Sequence, residues 1–234
     1  MMLWIILIGV PMLLGLIAQA KVSSAFNTWK NVRASSNVTG AQAAREILRA
    51  ANIHDVEVVE INDMLGDHYD PVHKRLCLSS DVYHTPSVAA LGIAAHEVGH
   101  AIQHAKAYAP LKLRMAVVPA TAFVSRALPL LLIAGLFLPA MMGLSGAFTY
   151  QVIMLVAICY AVIAAFQLIT LPVEFDASRR AKIILNQMGL VQPGTEASGV
   201  NNVLDSAALT YVAAFVASLG QLLYWIFILQ GNRR

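Results

Sequence analysis

Four stretches of this chain carry almost no charge, and each is long enough to cross a lipid bilayer as a helix. Residues 3–20 are apolar apart from Gln19. Residues 115–147 hold Arg126 as their only charge. Residues 150–171 hold none, and neither do residues 209–229, which Gln221 interrupts. A spanning helix needs ~20 mainly apolar residues. A surface helix of a soluble protein would instead show an apolar stripe opposite a charged face. The chain is 58% hydrophobic and 12% charged, with a mean hydropathy of +0.66, whereas soluble domains lie nearer ~45–50% apolar. The expected fold class is therefore mainly α, a multi-pass membrane protein with about four transmembrane helices. Ala18-Gln19-Ala20 has the small-x-small form of a signal-peptide cleavage site, but no positive residue precedes the first block. That block reads as an uncleaved span.

Two polar segments separate the spans. In residues 21–114, Thr39 and Gln42 fit a capping box, so a helix should run from there through Ala51. Val56 to Ile61 and Lys74 to Ser79 alternate as strands, with a turn at Asp70-Pro71 between them. Thr85 reads as a helix cap, with Pro86 as the first residue of a helix running past His104. In residues 173–205, Glu174 to Met188 reads as a helix that Gly189 stops, and residues 192–202 read as a loop. The expected layout is a span at 1–20, a small α+β domain at 21–114, two spans at 115–172, a helix and loop at 173–205, and a last span at 206–230. The net charge of +3 comes with no basic run interleaved with aromatics, so nucleic acid is not an expected partner. The lipid bilayer is. Cys77 and Cys159 lie in segments of different character and are not expected to pair.

The stretch LGIAAHEVGHAIQHA, residues 91–105, carries polar groups on an otherwise apolar helix. On an α-helix His96 and His100 share a face, one turn or ~6 Å apart. Both imidazoles can then reach one metal ion at ~2.0–2.1 Å. Glu97 lies around the helix, close to that ion without competing for it, and can take a proton from a water that the metal activates. His104 lies eight residues beyond His96, ~12 Å along the axis, too far to share the ion. A catalytic zinc usually takes a third protein ligand. The candidates are His54, His68, His73, His84, Glu174 and Asp176. Glu174 opens EFDAS, just after the third apolar block. It reads equally as a ligand or as an acidic residue favoured at a helix start.

At these residues the chain resembles gluzincin-type zinc metallopeptidases, whose membrane members include HtpX-type proteases and CAAX prenyl endopeptidases. There a second helix carries a glutamate ligand in an E-F-x-A-D-like pattern. Glu174-Phe175-Asp176-Ala177-Ser178 matches, with Ser178 in place of the acidic residue that orients a zinc-bound histidine. The chain is more similar still to the YugP-type family of neutral zinc metallopeptidases of bacterial membranes. DHYDP (67–71), LCLS (76–79), residues 87–104, LPVEFDASRRA (171–181) and ALTYVAA (208–214) carry that resemblance. It implies a gluzincin-like zinc domain holding one Zn2+ per chain through His96, His100 and Glu174. It also implies a peptidase with Glu97 as base, acting on a peptide or membrane-protein substrate. Asp176, Ser178 and Asp205 become candidates for orienting a ligand, and Tyr83, His84 and Tyr211 for stabilising the oxyanion. The LCLS strand would be the edge strand beside the cleft. The alternative function is a membrane scaffold that binds zinc without hydrolysing peptides, for which Glu97 would have no use. Ten of the sixteen Lys and Arg precede the second block and three follow the third. By the positive-inside tendency the catalytic face is expected to be cytoplasmic. Arg233 and Arg234 would then fall outside.

Overall fold

The computed structural model describes residues 2–63, 66–143 and 146–231, which excludes Ser145, Arg233 and Arg234. The chain forms two compact units. One comprises Met1–Ile17, Leu113–Leu171 and Tyr211–Arg234, the other Ala18–Lys112 and Pro172–Thr210.

The first unit is apolar. Helix α1 (Met2–Trp4), a π-helical turn (Ile5–Gly9) and α2 (Val10–Trp29) follow one another without a break. The long helices α6 (Ala109–Met142), α7 (Gly146–Gln187) and α8 (Thr195–Gly231) supply the rest. Among the described residues, four helical stretches are long and apolar enough to cross a membrane: Met2–Trp29, Ala109–Pro139, Gly146–Gln187 and Thr195–Gly231. Leu16, Phe123, Leu130 and Met141 stand exposed on their surfaces. Large apolar side chains facing outward in such numbers suit contact with lipid. Leu128, Val152, Val156 and Cys159 pack together inside. A Cβ on Gly220 would sit 2.1 Å from the Leu7 carbonyl oxygen, so only glycine lets α8 lie backbone to backbone against the first helix. The apolar block at 115–147 is not one element. Helix α6 ends at Met142, Gly143 takes a left-handed φ of +61°, and Ala147 belongs to α7. A glycine in that conformation is a common helix stop.

The second unit is built on a small sheet. Helix α3 (Gly40–Ala50) opens with the expected capping box. It buries Ala41, Ala44, Ile47 and Leu48. Asn52, just beyond it, sits at φ +58°. The strands β1 (Glu57–Ile61), β2 (His68–Asp70) and β3 (Arg75–Ser79) run in the order β1-β3-β2. β1 pairs parallel with β3, Glu57 opposite Arg75. β2 pairs antiparallel with it, Tyr69 opposite Leu76. The β2–β3 turn is held by Asp70 Oδ1, which accepts from the N–H groups of Val72 (2.8 Å) and His73 (3.2 Å), the local bonding that makes aspartate a turn residue. The LCLS strand is thus the central strand, and the edge expected for it belongs to β2. Leu76, Cys77, Leu78 and Ser79 are all buried, as a strand covered on both sides and both faces should be. β2 went unread in the sequence because three residues are too few to show alternation.

The short α4 (Ser80–His84) leads to α5 (Val88–Ala105), the helix of the HEVGH stretch. Its cap is Ser87, which accepts from Ala90 N–H at 3.2 Å, and not Thr85. The chain stays extended through Pro86 because it pairs with residues 32–34. Ala34 N–H donates to Pro86 O and Val88 N–H to Val32 O, both at 2.9 Å. Those tertiary bonds outweigh the proline's preference for a first helical position. Two further expectations are corrected. Glu174 does not open a helix but lies well inside α7. Residues 195–202 are not loop but the first turns of α8, where Glu196 accepts from Gln192 N–H and Ser35 N–H, both at 2.9 Å.

Candidate metal centre

The site exists because α5 and the later part of α7 come unusually close. Val173, Ala177, Ala181 and Leu185 recur every fourth residue and are fully buried, forming one stripe along α7. Facing it on α5, a Cβ on Gly99 would lie 2.8 Å from the Ala177 carbonyl oxygen. Glycine at 99 and alanine at 177 therefore set the separation of the helix axes. On α5, His96, His100 and Gln103 follow at helical spacing on the same side.

That approach brings three potential ligand atoms together. His96 Nε2 lies 3.3 Å and His100 Nε2 3.5 Å from Glu174 Oε2. The three ligand atoms all fall within 4.8 Å of one another. Four ligands ~2.0–2.1 Å from a tetrahedral zinc stand ~3.3–3.4 Å apart, so these separations fit one zinc ion with little movement. Two neutral imidazoles and a carboxylate are also the donor set that zinc accepts. The His96 and His100 side chains retain 12% and 11% exposure against 2% for Glu174. The cluster is thus enclosed on the carboxylate side and reachable from the imidazole side.

The outer nitrogens of both histidines are held. His96 Nδ1 lies 3.1 Å from Ser178 Oγ, so the serine in the place of the expected acidic residue touches the histidine that residue would orient. His100 Nδ1 lies 3.1 Å from Gln103 Oε1. Gln103 is fully buried and donates to Val173 O at 2.8 Å and to Asp176 Oδ2 at 3.0 Å. Sequence reading passed over Gln103. Its signal was a buried-face position seven residues beyond His96.

Glu97 is buried beside the cluster, and its Oε2 accepts from the Tyr69 N–H of β2 at 3.0 Å. Burial pushes its carboxyl up from the ordinary value, with help from the negative charges of Glu174 and Asp67, against the opposing pull of His96 and His100. Burial alone would lower His100, but the hydrogen bond to Glu174 and the charges of Glu97 and Glu174 carry it upward instead. Tyr69 also reaches His104, hydroxyl to Nδ1 at 2.8 Å. Burial and the charges of Asp55 and Asp70 push that phenol up to about 12, so the hydroxyl keeps its proton.

The other candidates lie elsewhere. His54 meets Asn52 at 3.0 Å, His68 the Gly66 carbonyl at 2.7 Å, His73 Asp70 at 2.6 Å and His84 Glu60 at 3.1 Å. Asp205 pairs with Lys182 at 2.6 Å, and the Tyr83 hydroxyl accepts from Arg45 at 2.6 Å. Asp176 is 2.5 Å from both Arg179 and Arg180 and reaches the cluster only through Gln103. Tyr211 belongs to the apolar unit.

The model of a protein family described as "Putative neutral zinc metallopeptidase" matches residues 4–230. The chain belongs to this neutral zinc metallopeptidase family. A relative from Bacillus subtilis (strain 168), described as "Putative membrane protease YugP", is 42% identical over 232 residues, covering 99% of each chain. No solved structure matches. The match to the zinc metallopeptidase family spans both units, so the apolar helices belong to the family's pattern as much as the HEVGH and EFDAS segments do.

Proposed function

We propose that this chain is an integral membrane zinc endopeptidase of the gluzincin type, with His96, His100 and Glu174 holding one zinc ion and Glu97 acting as base. The observation that carries the reading is the convergence of two imidazole nitrogens and one carboxylate oxygen beside a second, buried carboxylate, Glu97. Zinc bound there would polarise a scissile carbonyl and acidify a water near neutral pH. Tyr69 N–H fixes Glu97 Oε2, which leaves Oε1 free to take the proton from the attacking water. Burial raises the affinity of Glu97 for that proton, which suits holding it and then delivering it to the leaving amine. Tyr69 uses its N–H on Glu97 and so points it away from β3. Hydrolysis acts on a peptide or membrane-protein substrate, and the catalytic face lies on the cytoplasmic side.

The test is Glu97→Gln. Purified in detergent, both forms should bind about one zinc per chain. Only the wild type should cleave an unstructured peptide mixture, with the variant slower by at least ~10²-fold. A variant that cleaves near the wild-type rate removes Glu97 from the reaction. A wild type that binds no zinc removes the site.

A further inference from the structure

Gln103 is the one fully buried amide among the described polar side chains at the cluster, and its surroundings fix which way it points. Its Nε2 faces two groups that can only accept, the Val173 carbonyl at 2.8 Å and Asp176 Oδ2 at 3.0 Å. Turning the amide over would set its oxygen against both, with no proton between them, and a buried polar group left without its partner is unfavourable. The nitrogen therefore stays on that side, and Oε1 must face His100 Nδ1 at 3.1 Å. An amide oxygen cannot donate, so His100 carries a proton on Nδ1, and in the neutral imidazole the lone pair then falls on Nε2, the atom that faces Glu174. A buried histidine with no such acceptor would be free to settle in the other tautomer, whose Nε2 cannot bind metal.

The acceptor that fixes the amide is itself fixed. Asp176 accepts from Arg179 on Oδ1 and from Arg180 on Oδ2, each at 2.5 Å, so both of its oxygens are held facing donors. Gln103 and Asp176 lie on different helices, so the same bonds also lock α5 to α7 at the level of the cluster. We propose that Gln103 is a positioning residue that presets the metal-binding tautomer of His100, and that the Asp176–Arg179–Arg180 group holds it in that orientation. His96 and His100 are then oriented by different devices, a serine hydroxyl for one and this amide relay for the other. The inference rests on the metal site proposed above.

The experiment measures zinc affinity by competition with a chelator, alongside the visible spectrum of the Co2+-substituted protein and thermal unfolding of the metal-free protein. Gln103→Met fills the buried space but offers no acceptor. It should unfold near the wild-type temperature, bind zinc ~10- to 100-fold more weakly, the usual cost of losing such a partner, and shift the Co2+ bands. Asp176→Asn should weaken zinc less, because its own amide can still offer an oxygen to Gln103. Ring 15N spectra of the histidine-labelled, metal-free wild type should show the neutral His100 imidazole protonated on Nδ1. A folded Gln103→Met that binds zinc like wild type overturns the inference. So does a neutral His100 protonated on Nε2, an outcome that stands even if Gln103→Met folds poorly. Glu174→Ala is run in parallel. If it too keeps zinc, the metal site itself is wrong; if it alone loses zinc, only the role of Gln103 fails.

Discussion

Two glycines on the same helix should respond to alanine in opposite ways. At Gly99 an added Cβ would meet the Ala177 backbone, 2.8 Å from its carbonyl oxygen and 3.1 Å from its Cα. Ordinary contact begins near 3.4 Å, so α7 would have to retreat by ~0.6 Å, because neither backbone can rotate out of the way as a side chain would. Overpacking of this kind costs ~1–3 kcal/mol. The functional loss should be larger than the loss of stability. Ala177 sits three residues from Glu174 on the same helix, so the same displacement carries the carboxylate away from His96 and His100. The separations of 3.3 and 3.5 Å would open by a similar amount, while metal–ligand distances tolerate only ~0.2 Å. Gly99→Ala should therefore lose most of its zinc while losing only part of its thermal stability. At Gly92 the Cβ would meet Val200 at ordinary contact distance, its side chain nearest at 3.6 Å and its Cα at 3.9 Å. Gly92→Ala should keep zinc and gain up to ~1 kcal/mol from helix propensity. Zinc content per chain and unfolding temperature, measured on both variants, decide the matter. Full zinc in a folded Gly99→Ala would mean that the approach of α5 to α7 does not set the site.

Glu174→Ala should abolish tight zinc binding, whereas His104→Ala should leave zinc in place, since His104 is bonded to Tyr69; zinc loss in the His104 variant alone would reverse the ligand assignment. In metal-free protein the raised carboxyl of Glu97 and the raised imidazole of His100 mean that the fold holds their protons more tightly than the unfolded chain does. Their stabilising contribution is complete below the ordinary values of 4.5 and 6.5 respectively and is lost as pH climbs through the higher folded values. Thermal unfolding with chelator should thus show falling stability from about pH 5 to pH 8, and zinc, which binds the deprotonated forms, should stabilise more as pH rises. A metal-free form that grows more stable over that range would contradict the burial of Glu97. For topology, single cysteines at Ser36 and Ser198 in a Cys77→Ser, Cys159→Ser background should both resist an impermeant reagent in intact cells, while one at Ser145 should react. Labelling of Ser36 and Ser198 on opposite sides would exclude Glu174 as a ligand.

The apolar helices were legible because a span is a property of composition over about 20 residues, and no tertiary contact is needed to read it. Their ends were not. Helix α7 runs from the apolar unit into the polar one without a break, and hydropathy marks where charge begins, not where a helix stops. The end of α6 at Met142 turned on one glycine with positive φ. The cap of α5 was misplaced for a different reason: Thr85 and Pro86 form a sound local start signal, and the pairing with residues 32–34 overrides it. The edge strand beside α5 is three residues long and is defined by its partner strand rather than by its own pattern.

The site divides along the same line. His96, Glu97 and His100 could be read from one helix because their chemistry is set by helical spacing alone. Glu174 stayed ambiguous until its helix was placed, because nothing local to EFDAS says what it faces. What sequence did carry, unread, was the stripe Val173, Ala177, Ala181 and Leu185 together with Gly99. Apolar residues at every fourth position of one helix, with alanine at 177 and 181, and a glycine inside the HEVGH stretch of another announce two backbones in contact. From that contact follow Glu174 opposite the two histidines, Ser178 one turn on at His96, and Gln103 reaching across to Val173 and Asp176. The HEVGH glycine is therefore as much a part of the proposed metal site as its histidines. They supply the nitrogens, and it supplies the distance at which a carboxylate on another helix can meet them.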